Sequence, residues 1–174
     1  MSFFDKLLKK EEKNNSAAVH IQEDKGCIYS PVNGKVISLE KLDDGMFSEK
    51  ILGDGIAVIP SDGSFIAPVS GSVETAFPTG HAYGIKTDDG TEILIHIGID
   101  TVQMNGRGFQ AFAKQGDRIK AGDKLAQVDL ESIKKAGYPI ETMIIVTSGN
   151  EIIRTADKDT QIKAGAKLLE VKSV

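Results

Sequence analysis

Two of the chain's three histidines, His81 and His96, lie fifteen positions apart on either side of one turn signal. Ala82 to Lys86 reads as a short strand, Thr87-Asp88-Asp89-Gly90 as a turn whose Asp-Gly pair suits a hairpin, and Thr91 to Ile97 as a β-branched second strand. Antiparallel pairing across that turn brings both histidines to the open end of the hairpin, about one cross-strand spacing (~5 Å) apart. His96 interrupts the apolar run Ile93-Leu94-Ile95-His96-Ile97, so its imidazole stands where the pattern calls for an aliphatic side chain. A polar ring in such a place needs a hydrogen-bond partner or a chemical task. Two converging imidazoles suit either proton and group transfer or, with a carboxylate such as Asp100, metal ligation.

The remaining candidates are weaker. His20 lies in a polar stretch with no constellation around it and reads as structural. Cys27 is the only cysteine, which excludes an intrachain disulfide and a thiolate metal cluster, and it reads as a small strand residue. With 174 residues the chain suits one domain plus a short appendage. A net charge of −4 disfavours nucleic acid and suits a partner that brings positive charge. With no long apolar stretch, neither export nor a membrane span is expected, and the cytoplasm is the natural compartment.

In chain order, Met1 to Lys10 carries Phe3, Phe4, Leu7 and Leu8 at helical spacing with Lys6, Lys9 and Lys10 elsewhere on the wheel. This basic, amphipathic pattern could meet the inner face of a membrane peripherally. Residues 11–17 are charged and polar and read as a linker, so a tail over 1–18 precedes a domain over 19–174. Short apolar segments punctuated by glycine follow: Cys27-Ile28-Tyr29, Gly34 to Leu39, Gly55 to Ile59 and Ser64-Phe65-Ile66. Eighteen glycines and a single internal helix, Leu130 to Ala136, point to an all-β domain, a β-sandwich or barrel-like sheet pair. Two internal echoes sharpen this. Pro31-Val32-Asn33-Gly34 matches Pro68-Val69-Ser70-Gly71, and Ile119-Lys120-Ala121-Gly122-Asp123-Lys124-Leu125 matches Ile162-Lys163-Ala164-Gly165-Ala166-Lys167-Leu168. The echoes repeat at different periods, 37 and 43 residues, which predicts a duplicated strand-turn unit inside one core and not an open repeat array.

The Pro-Val-x-Gly pairs, Phe47 to Ala57, Thr79-Gly80-His81-Ala82, His96-Ile97-Gly98-Ile99-Asp100-Thr101-Val102 and Gly116 to Asp123 together resemble the glucose-family enzyme IIA of the bacterial phosphoenolpyruvate:sugar phosphotransferase system, from about Ser30 to Val171. The resemblance implies a β-sandwich of the duplicated hybrid motif type. It further implies that His96 accepts a phosphoryl group from the phosphocarrier HPr and passes it to a sugar-specific IIB domain. His81 would support the phosphoryl group, Thr79 would orient His81, and Asp44 and Asp100 would flank the site and meet the donor. Met46, Phe47, Ile51, Phe77 and Val102 would supply an apolar docking surface. The unphosphorylated form could also regulate other proteins. No cofactor is required. The chain departs from the family pattern at Gln103, where an acidic residue is usual, and at Gly45 and Met46, where branched residues are usual.

The chemistry suits these residue types. A neutral imidazole near pKa 6.5 is a nucleophile at cytoplasmic pH, and its bond to phosphorus stays reactive enough to be passed on. If a backbone carbonyl near Gly98 holds the proton of one His96 nitrogen, the other points at the donor. His81 can then donate a hydrogen bond to the phosphoryl oxygens. Carboxylates at the rim make sense as contacts for cationic donor side chains.

Two other classes compete. A zinc-dependent hydrolase site of the lysostaphin type shares the architecture but needs a further histidine, usually in a His-x-His pair, and His96-Ile97-Gly98 is not one; zinc held by His81 and His96 would have to be bridged by a partner's carboxylate. A lipoyl or biotinyl carrier would show a modified lysine at a hairpin tip, and no such lysine stands out.

Overall fold

The computed structural model describes residues 18–172, so the amphipathic reading of Met1 to Lys10 and the linker over 11–17 lie outside the described residues. Fourteen strands, one α-helix and two short 3-10 turns, Leu39–Lys41 and Thr101–Met104, make up the regular structure of the described residues. In order they are β1 (Cys27–Tyr29), β2 (Gly34–Ile37), β3 (Asp54–Pro60), β4 (Ser64–Ile66), β5 (Gly71–Ala76), β6 (Ala82–Lys86), β7 (Glu92–Ile97), β8 (Phe109–Ala111), β9 (Arg118–Ile119) and β10 (Lys124–Val128). There follow α1 (Leu130–Lys135), β11 (Thr142–Val146), β12 (Ile152–Thr155), β13 (Gln161–Ile162) and β14 (Lys167–Val171). The helix forms where the sequence predicts one. The Asp129 side chain caps its N-terminus by accepting from the Ser132 amide, Lys134 and Lys135 occupy its last turn, and Ile133 is its core anchor.

The strands form one eight-stranded sheet, in the order β13-β2-β3-β11-β7-β6-β5-β9, and two three-stranded sheets, β1-β14-β12 and β4-β10-β8. The large sheet is open at β13 and β9, so the architecture is a sandwich and not a closed barrel. Its order is quasi-symmetric about the central β11·β7 pair, and the sequence echoes explain why. Each Pro-Val-x-Gly turn delivers a short outer strand (β1, β4) into the large sheet (β2, β5), and each Lys-Ala-Gly turn does the reverse (β13 to β14, β9 to β10). The backbone bonds repeat with them: Ser30 N–H to Ala166 O matches Ala67 N–H to Asp123 O, both at 2.8 Å, and Gly165 N–H to Ser30 O matches Gly122 N–H to Ala67 O, both at 2.9 Å.

The main core lies between the sheets and includes Ile28, Val36, Phe65, Val73, Tyr83, Ile95, Leu125 and Ile144. A second, smaller core breaks the symmetry. The β2–β3 connection, residues 38–53, joins Leu39, Leu42 and Phe47 to Ile37, Ala57, Ile99, Met143 and Ile145. The corresponding β5–β6 connection, 77–81, is five residues long and buries no such cluster. The histidines sit where the long excursion and the short one meet.

Candidate functional site

The hairpin predicted from the sequence positions both rings. In the β6·β7 ladder Ala82 faces His96, and the Ile97 amide donates to the His81 carbonyl at 2.7 Å. The two imidazole centroids stand 5.0 Å apart and nearly perpendicular, at 81°. Thr87 to Gly90 closes the far end, with Gly90 at φ +92° supplying the left-handed turn residue.

Each ring has one nitrogen fixed. His96 Nδ1 lies 2.7 Å from Gly98 O. A carbonyl only accepts, so Nδ1 carries the proton and Nε2 carries the lone pair. His81 Nδ1 lies 2.5 Å from Thr79 Oγ1. A hydroxyl can donate or accept, so this contact orients the ring; donation to Nδ1 would leave the His81 proton on Nε2 as a donor. Both rings are neutral near pH 7. His81, only 2% exposed, is pushed down from 6.5 to about 4 by burial and by the neighbouring His96. Burial also lowers His96, against the opposing pull of its bond to Gly98 O and the carboxylates of Asp100 and Asp44.

A solvent-open depression of about 460 Å³ surrounds His96, with Asp44, Phe47, Phe77, Asp100 and Val102 in its wall. Phe47 and Phe77 flank the pair, their rings 5.0 Å from His96 and 5.2 Å from His81. Phe47 is buried in the second core and floors the site, whereas Met46, Phe77 and Val102 line it at 43–49% exposure; Ile51, 67% exposed, does not line the depression, and its neighbour Leu52 does. The Asp44 carboxylate accepts from the amides of Phe47 and Ser48 at 2.8 and 3.1 Å, so it pins the loop that carries Phe47 as well as charging the rim. Asp100, exposed and left-handed at φ +61°, opens the short 3-10 turn Thr101–Met104 that presents Val102 and Gln103.

Sequence reasoning missed Asp43, Leu52, Leu94 and Ile99, which also line the depression. Leu94 had a signal, since it lies two positions before His96 and so on the same face of β7. Leu52 and Asp43 had none, because their place depends on how residues 38–53 fold over the sheet. His20 is exposed, outside the depression. Among the described residues no group of three or more His, Cys, Asp or Glu side chains could hold a metal ion, which leaves the hydrolase reading without its ligand set. Lys120 and Lys163, in the two Lys-Ala-Gly turns, are exposed and outside the depression, and nothing favours the carrier reading.

Fold and site define a class: a pseudo-symmetric β-sandwich that offers a neutral histidine with its Nδ1 proton held by a carbonyl and its Nε2 lone pair free, with a second imidazole beside it, in an apolar depression with an acidic rim. The family model described as phosphoenolpyruvate-dependent sugar phosphotransferase system, EIIA 1, matches residues 26–152. The glucose-specific EIIA component of Halalkalibacterium halodurans is 41% identical over 163 residues, 93% of each chain. The β-glucoside-specific EIIBCA component of Bacillus subtilis is 47% identical over 134 residues, 77% of this chain and 22% of that longer one. Among solved structures, the glucose permease IIA from Mycoplasma capricolum matches with a TM-score of 0.78 at 42% identity, covering 82% of this chain and 93% of that one. The chain belongs to the EIIA type 1 family of the phosphoenolpyruvate-dependent sugar phosphotransferase system. It is a phosphotransferase component that relays phosphoryl groups through histidine toward a sugar-specific IIB domain.

Proposed function

We propose that His96 Nε2 is the relay atom, that phospho-HPr is its donor, and that His81 stabilises the phosphoryl group in transit. The nitrogen–phosphorus bond of the donor breaks as the bond to Nε2 forms, and the proton on Nδ1 stays against Gly98 O throughout. No proton has to move for the group to pass. As charge redistributes over the phosphoryl oxygens, His81 Nε2–H donates to one of them, its ring held by Thr79. The observation that carries this reading is the 2.7 Å bond from His96 Nδ1 to Gly98 O beside a second neutral imidazole at 5.0 Å.

Met46, Ile51, Phe77 and Val102 form the apolar contact for the donor and for the IIB acceptor, and Asp44 and Asp100 meet cationic side chains at its edge. The names of the free-standing relatives favour a glucose-type permease as the beneficiary. The basic, amphipathic sequence over 1–10 supports a cytoplasmic protein that touches the inner face of the membrane peripherally. A relay assay with purified components tests the roles. His96→Gln should take up no phosphoryl group, whereas His81→Gln should still be charged by phospho-HPr and pass the group on slowly. Normal charging of the His96 variant would sink the reading.

A further inference from the structure

Thr101 has no assigned part in the relay, yet the corner that fixes the His96 tautomer is built around it. It is completely buried, and its hydroxyl donates to the Ile97 carbonyl at 2.5 Å. Its methyl covers the next residue so closely that a β-carbon on Gly98 would lie 2.3 Å from Thr101 Cγ2 and 2.9 Å from Pro139 O. Gly98 therefore has to be glycine twice over, for space and for its φ of +78°. The other side of the corner is tied to the loop that leads into β11, with Gly98 N–H donating to Glu141 O at 3.0 Å and Ile99 N–H to Pro139 O at 3.2 Å. Of the two successive carbonyls at this corner, Ile97 O is taken by Thr101, and Gly98 O is left for His96 Nδ1 at 2.7 Å. Thr101 is also the first residue of the 3-10 turn that carries Val102, and it directly follows Asp100.

We propose that Thr101 is a positioning residue for phosphoryl transfer: through the Ile97 carbonyl and the face of Gly98 it locks the 97–101 corner. That lock keeps Gly98 O aimed at His96 Nδ1 and sets the docking turn in register with the reactive nitrogen. One buried hydroxyl thus couples the direction of attack to the surface that receives the donor. A carbonyl released from the hydroxyl lets the Ile97–Gly98 backbone turn, which swings Gly98 O away from the imidazole. That motion lets the proton redistribute between Nδ1 and Nε2, and in the Nε2–H tautomer the nitrogen that faces the donor has no lone pair to attack with.

The consequence for rate rests on the relay reading, but the tautomer does not, and the experiment separates them. Nitrogen-15 spectra of the His96 ring would be recorded for the wild type, Thr101→Val and Thr101→Ser without any phosphoryl donor, and charging by phospho-HPr would be timed alongside. The wild type should show the single Nδ1–H tautomer. Thr101→Val, which keeps the branched shape and loses the hydroxyl, should show a mixture and charge about tenfold more slowly, the effect of one lost hydrogen bond. Thr101→Ser should restore the single tautomer and most of the rate. A folded Thr101→Val with an unchanged tautomer overturns the proposal. Should that variant not fold, Thr101→Ser decides, since a mixed tautomer with the hydroxyl still present would equally overturn it. A wild type that holds the tautomer but is never charged would instead contradict the relay reading and leave the positioning role standing.

Discussion

Acid should loosen this protein through His81. Folding buries that ring to 2% exposure and lowers its pKa from 6.5 to about 4. Above pH 7 the ring is neutral in both folded and unfolded chains, so its titration affects neither. As the pH falls below 6.5 the unfolded chain takes up a proton that the folded one refuses, and stability falls with pH. At about 1.36 kcal/mol per pKa unit the loss is close to 2 kcal/mol at pH 5 and approaches about 3.4 kcal/mol well below pH 4. His96 contributes in the same direction because its pKa is also lowered. Urea denaturation of the wild type and His81→Gln across pH 7.5 to 5 isolates the His81 share, since glutamine does not titrate there. The difference in unfolding free energy between the two should shrink by about 2 kcal/mol over that range. Parallel curves would mean that His81 accepts a proton in the folded state and would remove the basis for a neutral donor at the site.

Phe47→Ala opens the floor of the depression and should cost about 3–5 kcal/mol of stability by chemical denaturation, while rehydration of His96 raises its NMR-titrated pKa. Gly98→Ala combines a left-handed alanine with an overlap at Thr101 and should lose at least about 2 kcal/mol, seen as a lower Tm. Tyr83→Phe should hold Tm or raise it, because the buried hydroxyl of Tyr83 finds no hydrogen-bond partner among the described residues. Asp100→Asn should slow association with phospho-HPr several-fold at low ionic strength and make little difference near 1 M salt, where the Debye length is about 3 Å; stopped-flow rates at two salt concentrations decide it.

The histidine hairpin was legible because its signals are local. Ala82 to Lys86 matches β6 residue for residue, and the fifteen-residue separation of the histidines collapses to 5.0 Å between rings, as a ladder demands. The duplicated turns were legible because each Lys-Ala-Gly and Pro-Val-x-Gly unit needs the same backbone shape wherever it occurs. The β2–β3 excursion was not. Nothing in residues 38–53 announces that Phe47 turns inward while Met46 beside it stays exposed; that choice follows from the empty outer face of β3, β11 and β7 that the loop has to cover. Thr101 was equally hidden, since a threonine after an aspartate reads as a polar turn residue until the burial of its hydroxyl is known. The left-handed backbone of Asp100 had only a faint signal: aspartate and asparagine enter that region more readily than other non-glycine residues, as Asn105 and Asp159 also do, but most aspartates of the chain do not.

Relay through His96 Nε2 makes one demand above the others. Incubated with phosphoenolpyruvate, enzyme I and HPr, the protein should gain one acid-labile, base-stable phosphate, and peptide mass spectrometry should place it on His96. A phosphate on His81 or elsewhere, or none at all while HPr is charged, would contradict the assignment of His96 as the nucleophile.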